Sequence, residues 1–287
     1  VHRVLFRIPM PFGLKPLQVA AYGAMVALGA LVGIYIASVR AKRSGVNPNL
    51  ILDLALVLII SGMIGARLFF FVFDDWSEFT NGGVGHALKL FINFPSGGLS
   101  FYGALALGIP AGIVFLRLRM RHIWGVGDIA MPSIALGIAF ARIGCYLNGC
   151  CFGKPCPEWF PLAQHFPLRQ GDELSIPAQH YLSLPGGQWP VAIYPTQLIS
   201  SLNAFVLFIV LSVLFRRRRF DGQLFCVFGI WYGISRFLIE FLRADNARTV
   251  FGVLTTWQLA GLLLAAGCAV LWVVFQRRGR LTVLPTT

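Results

Sequence analysis

Four arginines stand inside otherwise apolar helical runs of this chain: Arg67, Arg142, Arg236 and Arg243. A guanidinium at a bilayer centre costs at least about 2.5–3.5 kcal/mol, so such residues face a polar cavity and carry function by default. Arg142 lies in Ala141-Arg142-Ile143-Gly144-Cys145-Tyr146-Leu147-Asn148-Gly149-Cys150-Cys151-Phe152-Gly153, a run that starts as a helix and ends as a Gly/Cys-rich turn. Arg236 and Glu240 are four apart and Arg243 lies three further on, with Tyr232 one turn before. That spacing lays Tyr232, Arg236, Glu240 and Arg243 along one helix face. The acids at membrane depth are Asp53, Asp128 and Glu240, fewer than the arginines. A surplus of buried positive charge calls for an anion. In a bilayer the abundant anion is a lipid phosphate, which arginine grips with two parallel hydrogen bonds.

The elements that position these residues are membrane spans. Hydrophobic residues make up 57% of the chain and charged ones 12%, against roughly 25% charge in soluble domains. Mean hydropathy is +0.73. About 20 apolar residues cross a bilayer, and seven such runs are expected, at about 17–39, 51–73, 98–116, 126–147, 196–215, 222–243 and 255–275. The expected fold is an all-α integral membrane protein, one polytopic domain over 1–287. Basic clusters follow the odd-numbered runs: Arg40, Lys42 and Arg43; Arg117, Arg119 and Arg121; Arg216 to Arg219; and Arg277, Arg278 and Arg280. The positive-inside rule then places the N-terminus outside and the C-terminus in the cytoplasm. The net charge of +13 is thus read as a topology signal; no basic face interleaved with aromatics suggests nucleic acid. Asp53 and Arg67 lie where helix-end charges reach the interface.

The outward segments are irregular. Residues 74–97 carry Asp74, Asp75 and Trp76, and the loop at about 148–195 holds eight prolines. Long loops are disproportionately functional. No internal repeat of the transporter kind is present. Cys145, Cys150, Cys151 and Cys156 cluster at the end of the fourth run, with spacings of five, one and five. Those spacings do not match a paired C-x-x-C zinc site. An outward compartment permits a disulfide among the four. Cys226 and Cys268, within spans, are expected to pack as small hydrophobes.

Arg142-Ile143-Gly144-x-x-x-Asn148-Gly149-x-x-x-Gly153 resembles a signature of the bacterial prolipoprotein diacylglyceryl transferases. So does Tyr232-Gly233-x-x-Arg236-Phe237-x-x-Glu240-Phe241-x-Arg243-x-Asp245. Tyr22-Gly23, Gly62-x-x-Gly65-Ala66-Arg67, Gly98-Leu99-Ser100-Phe101-x-Gly103, Asp128-x-x-x-Pro132 and Tyr194-Pro195-x-Gln197-Leu198 fit in the same order. The resemblance implies transfer of the diacylglyceryl group of phosphatidylglycerol to the lipobox cysteine of a prolipoprotein, in the bacterial inner membrane. It implies no metal and no organic cofactor. By resemblance Arg142 and Arg236 grip the phosphate and Tyr22 and Tyr232 orient the headgroup. Gly103, Asn148, Gly153, Glu240, Arg243 and Asp128 would complete the substrate site.

The chain differs from the usual signature at several places, among them a Glu usual just after Tyr194-Pro195-x-Gln197-Leu198, where Ser200 or a neighbour stands. Tyr102 stands where the family has the His that is its usual candidate base, Cys145 where it has Asn, and Cys150 where it has Glu. A tyrosine, with an ordinary pKa near 10, makes Tyr102 a weak base. Two other readings are a phospholipid-binding or transporting paralogue without catalysis and a membrane thiol–disulfide protein. The latter calls for a reactive C-x-x-C pair, for which adjacent Cys150-Cys151 is a poor substitute.

Overall fold

The structure, a computed structural model, describes residues 4–8, 17–73, 91, 100–120, 123–170, 173–245, 249–250 and 253–279. Among the described residues seven long helices form the bundle, one at each expected run: α1 (Ala21–Arg43), α2 (Pro48–Phe73), α3 (Phe101–Arg119), α4 (Ile123–Asn148), α6 (Thr196–Phe215), α7 (Gln223–Glu240) and α8 (Thr256–Arg278). α1, α2, α4, α6 and α8 are long and apolar enough to cross a membrane; α3 and α7 have 19 and 18 residues. A short helix, α5 (Ile176–Leu182), lies in the long loop.

Three two-stranded antiparallel ribbons qualify the all-α expectation. β1 (Val4–Ile8) pairs with β2 (Leu17–Ala20), β3 (Arg169–Gln170) with β4 (Glu173–Leu174), and β5 (Thr249–Val250) with β6 (Leu254–Thr255). The first run, expected from residue 17, is strand up to Ala20 and helix from Ala21.

The polarity is inverted relative to a soluble domain. Leu31, Leu118, Leu202, Leu263 and Val270 are 64–81% exposed, whereas Arg67, Asp128, Gln197 and Glu240 are at most 3% exposed. Lipid supplies the solvent for the apolar faces, and the polar groups satisfy one another inside. Helices close on small residues, as membrane helices do. α2 crosses α3 where Gly65 meets Gly103, and a methyl on either would overlap the other's carbonyl. Gly103 thus seats this crossing.

One end of the bundle collects the basic clusters. Arg40, in the last turn of α1, donates to Ser212 of α6 at 2.7 Å. Beside it, Arg218 lies over the Phe215 ring at 4.1 Å. Asp128 belongs to this end too. Its carboxylate accepts from the backbone N–H groups of Gly222, Leu224 and Phe225 at 2.9, 3.0 and 3.1 Å. It thus caps α7, whose own cap residue, Gly222, offers no side chain. Arg142 stands 14 residues along α4, about 21 Å away at 1.5 Å per residue. That separation removes Asp128 from the expected substrate set.

The loop after α4 is more ordered than an irregular segment. Phe152, Phe166, Tyr181 and Ile193 form a buried cluster of their own. Residues 74–90 and 92–99, with Asp74, Asp75, Trp76 and Gly98, lie outside the described residues, as does the side chain of Tyr102.

Candidate active site

At the end opposite the basic clusters, five helix termini converge on one turn: the starts of α1, α6 and α8 and the ends of α4 and α7. The turn is the cap of α4. Gly149 takes a left-handed φ of 77°. Its N–H donates to the Tyr146 carbonyl at 3.1 Å, and the Cys150 N–H donates to the Cys145 carbonyl at 3.1 Å. This is a Schellman closure, which stacks the residue after the glycine on the residue one turn back, here Cys150 on Cys145. Cys151 then adopts φ 62°, unusual outside glycine, and folds the third cysteine back onto the first two. Their Sγ atoms lie within 4.8 Å of one another.

α6 locks this turn in place. Gln197 Nε2 donates to the Cys150 carbonyl at 3.0 Å and Thr196 Oγ1 to the Cys151 carbonyl at 2.8 Å. Tyr194-Pro195-x-Gln197-Leu198 thus owes its place in the site to backbone anchoring. Asn148, the last residue of α4, lies beside the Cys150 thiol.

Gly153 also acts through its backbone. It forms a bridge with Arg243, with Lys154 N–H donating to Leu242 O at 2.7 Å and Ala244 N–H to Phe152 O at 3.2 Å. The Tyr181 hydroxyl donates to its carbonyl at 2.8 Å, and burial, with Asp245 and Cys156 adding, pushes that hydroxyl up to about 12. A side chain at 153 would overlap the Tyr194 carbonyl. Through its backbone Gly153 delivers Arg243 to the thiol turn.

The arginines meet here: Arg236 lies on the predicted helical stripe, while Arg243 lies past the end of α7, which closes at Glu240, and reaches the site through its bridge to Gly153. Arg236 pairs with Glu240 at 2.9 Å, and Arg243 lies 3.9 Å from the same carboxylate oxygen. Arg243 also donates to both oxygens of Asp245, at 3.0 and 2.8 Å. Arg142 comes from α4 and lies beside Tyr232, Cys145 and Cys151. It is close enough to Arg236 and Arg243 for the three guanidiniums to repel one another. Tyr22, at the start of α1, faces Arg142 and the three thiols. Its approach rests on Gly144, where an added Cβ would lie 3.2 Å from Tyr22 Cα. Three guanidiniums face two carboxylates, Glu240 and Asp245, and the Cys151 sulfur.

Sequence reasoning passed over several partners. Trp257 lies under the Arg236 guanidinium at 5.0 Å, and Thr255 donates to Glu240 at 3.2 Å. Both belong to the start of α8, where Thr255 and Gln258 form a capping box, a pattern readable as Thr-x-x-Gln. Arg142, Tyr232, Arg236, Ser200, Asn203 and Ser235 are among the residues around a cavity of about 20 Å³, room for about one water. Cys151, past the end of α4, has its thiol held well below the ordinary range by hydrogen bonds from Cys145 and Cys150, with Arg243 and Arg142 adding to the effect. All six cysteines are free, so the expected disulfide is not formed. Cys226 and Cys268 are buried, as packing residues are. Arg67 is buried with its guanidinium over the Phe71 ring at 4.8 Å.

The profile of the family described as prolipoprotein diacylglyceryl transferase matches residues 9–274. The chain belongs to the prolipoprotein diacylglyceryl transferase family. Among its relatives is a phosphatidylglycerol--prolipoprotein diacylglyceryl transferase of Bacillus velezensis, 32% identical over 83% of this chain and 81% of the relative. A protein of the same name from Clostridium tetani is 31% identical over 88% and 92%, and one from Prochlorococcus marinus 30% identical over 97% and 95%. In this chain the two arginine motifs, at the end of α4 and the end of α7, are brought to one point.

Proposed function

We propose that this chain transfers the diacylglyceryl group of phosphatidylglycerol to the lipobox cysteine thiol of prolipoproteins, releasing glycerol phosphate. The observation that carries the reading is the convergence of Arg142 from α4, Arg236 from α7 and Arg243 from just past the end of α7 on one arginine-rich site. The phosphate ester leaves with growing negative charge, and guanidiniums fixed in a water-poor site stabilise that charge more in the transition state than in the ground state. Arg142 and Arg236 take the phosphate, with Tyr22 and Tyr232 at the headgroup. Glu240 and Asp245 aim the forks of Arg236 and Arg243, and Trp257 backs Arg236. An apolar groove of about 550 Å³ between α1, α4 and α6 starts at Ile143 and Leu198, next in sequence to Arg142 and Gln197, and suits an acyl chain.

The seven helices are read as seven spans of one domain in the bacterial inner membrane, N-terminus outward and C-terminus cytoplasmic. In support, α7, with 18 residues, is about 27 Å long, close to the roughly 30 Å hydrocarbon core. The basic clusters gathered at the end away from the arginine pocket support that orientation.

Transfer is tested with purified protein in proteoliposomes of phosphatidylglycerol and a lipobox peptide. Wild type forms the thioether product. Arg142→Ala and Arg236→Ala each lose about 10²–10³ in rate, the scale of one transition-state donor. Wild-type rates in both folded variants would overturn the reading.

A further inference from the structure

Cys145, Cys150 and Cys151 hold no role in the phosphate chemistry, yet they sit beside Arg142, Tyr22 and Arg243. Their sulfurs form a compact triangle, no two more than 4.8 Å apart, and none is in a disulfide. The triangle is built rather than incidental. The cap of α4 stacks Cys150 on Cys145, Cys151 turns back at positive φ, and two side chains of α6 pin the carbonyls of Cys150 and Cys151. Metal–sulfur bonds of about 2.3 Å in a tetrahedral thiolate site put neighbouring sulfurs about 3.8 Å apart. A closure of about 1 Å, within reach of side-chain rotation, brings the three to that geometry.

The donor set narrows the ligand. Three thiolates with no oxygen donor select soft thiophilic cations over Mg2+ or Ca2+. Three protein ligands leave a fourth position open, the pattern of a reactive rather than a structural zinc. A divalent ion on three thiolates is left with one negative charge, which Arg142 and Arg243 offset. The acids on the adjoining elements, Glu240 and Asp245, are committed to guanidiniums. A thiol that binds a metal, by contrast, is deprotonated outright.

We propose that Cys145, Cys150 and Cys151 bind a soft d10 cation of the Zn2+ class, and that its open position takes the lipobox thiol as a thiolate. The proposal rests on the transferase reading. As the substrate sulfur bonds to the metal its S–H bond breaks, and the proton goes to water. The sulfur lone pair then forms the bond to the glyceryl carbon while the carbon–oxygen bond to phosphate breaks. Glycerol phosphate leaves with that electron pair, against Arg142 and Arg236. The metal keeps its oxidation state. The thioether product is neutral and a weak ligand, so it leaves the site.

The test uses the full chain, reduced, purified in detergent, stripped with a chelator and reloaded with Co2+ or Zn2+. We expect one Co2+ per chain with the visible bands of tetrahedral thiolate coordination, a change in those bands on adding lipobox peptide, and loss of the bands in Cys145→Ser, Cys150→Ser and Cys151→Ser. Each variant is checked for wild-type thermal stability, and Cys156→Ser, outside the triangle, keeps the bands. Stripping should lower transfer about 100-fold, the scale of a positioned proton acceptor, and Zn2+ should restore it. Absence of thiolate bands in folded wild type overturns the proposal, as does full transfer by the stripped protein. Peptide-responsive bands without transfer in either form support the metal site and overturn the transferase reading instead.

Discussion

Replacing Glu240 by Gln separates the electrostatic account of this pocket from a purely steric one. The Glu240 side chain is fully shielded. One oxygen lies 2.9 Å from Arg236 and 3.9 Å from Arg243, and the other accepts from Thr255 at 3.2 Å. At an effective dielectric of 20 the two ionic contacts amount to about 6 and 4 kcal/mol of attraction before desolvation. Breaking a buried pair costs about 3–5 kcal/mol net. Gln keeps the Thr255 bond, so the low end applies, about 3 kcal/mol. A loss of that size lowers Tm by roughly 6–12 °C in a chain of this size class.

The kinetic consequence has a different signature. The cluster charge rises by one, so an anionic headgroup binds at least as well. The Arg236 fork, however, is no longer aimed. Transfer assays over a range of phosphatidylglycerol concentrations should show kcat down about 10²–10³ with KM unchanged or lower. A folded Glu240→Gln protein with wild-type kcat would sink the argument, and so would a raised KM at constant kcat.

Other perturbations follow from single contacts. Asp128→Ala strips three backbone donors at the start of α7 of their acceptor and should cost about 3 kcal/mol in thermal stability. Its kcat per folded molecule should stay at wild type, because the site is about 21 Å away. Gln197→Leu leaves the Cys150 carbonyl unpartnered, a cost of about 1–3 kcal/mol. It should loosen the turn, read as faster maleimide labelling of Cys150. Tyr102→Phe should retain most transfer, since a phenol with a pKa near 10 contributes little as a base at neutral pH; complete loss would restore Tyr102 as the proton acceptor.

Much of the architecture was legible in the chain. Apolar runs of bilayer length and basic clusters after alternate runs specify the helices, because burial in lipid and charge placement act through composition. The stripe Tyr232, Arg236 and Glu240 is legible for the same kind of reason: helix periodicity puts those side chains on one face, and the 2.9 Å Arg236–Glu240 pair lies on it; Arg243, beyond the end of α7, is brought there by its bridge to Gly153. Conserving a motif's spelling, by contrast, did not reveal what it does. Asp128, Gly103 and Gly153 belong to family-like motifs, yet one caps a remote helix, one seats a helix crossing and one pairs its backbone with Arg243.

The thiol turn marks the boundary between the two kinds of information. Spacings of five and one argue against a metal site when cysteines are counted along the chain. Half of the answer was local: Asn148-Gly149 after a helix reads as its cap, and a Schellman cap stacks Cys150 on Cys145. The other half is tertiary. Cys151 is turned inward because α6 holds its carbonyl and Arg243 pairs beside it, contacts made across 45 and more residues of sequence. Periodicity fixes which face of a helix a residue occupies. Only packing decides which helix ends share a point, and so which charges and thiols meet.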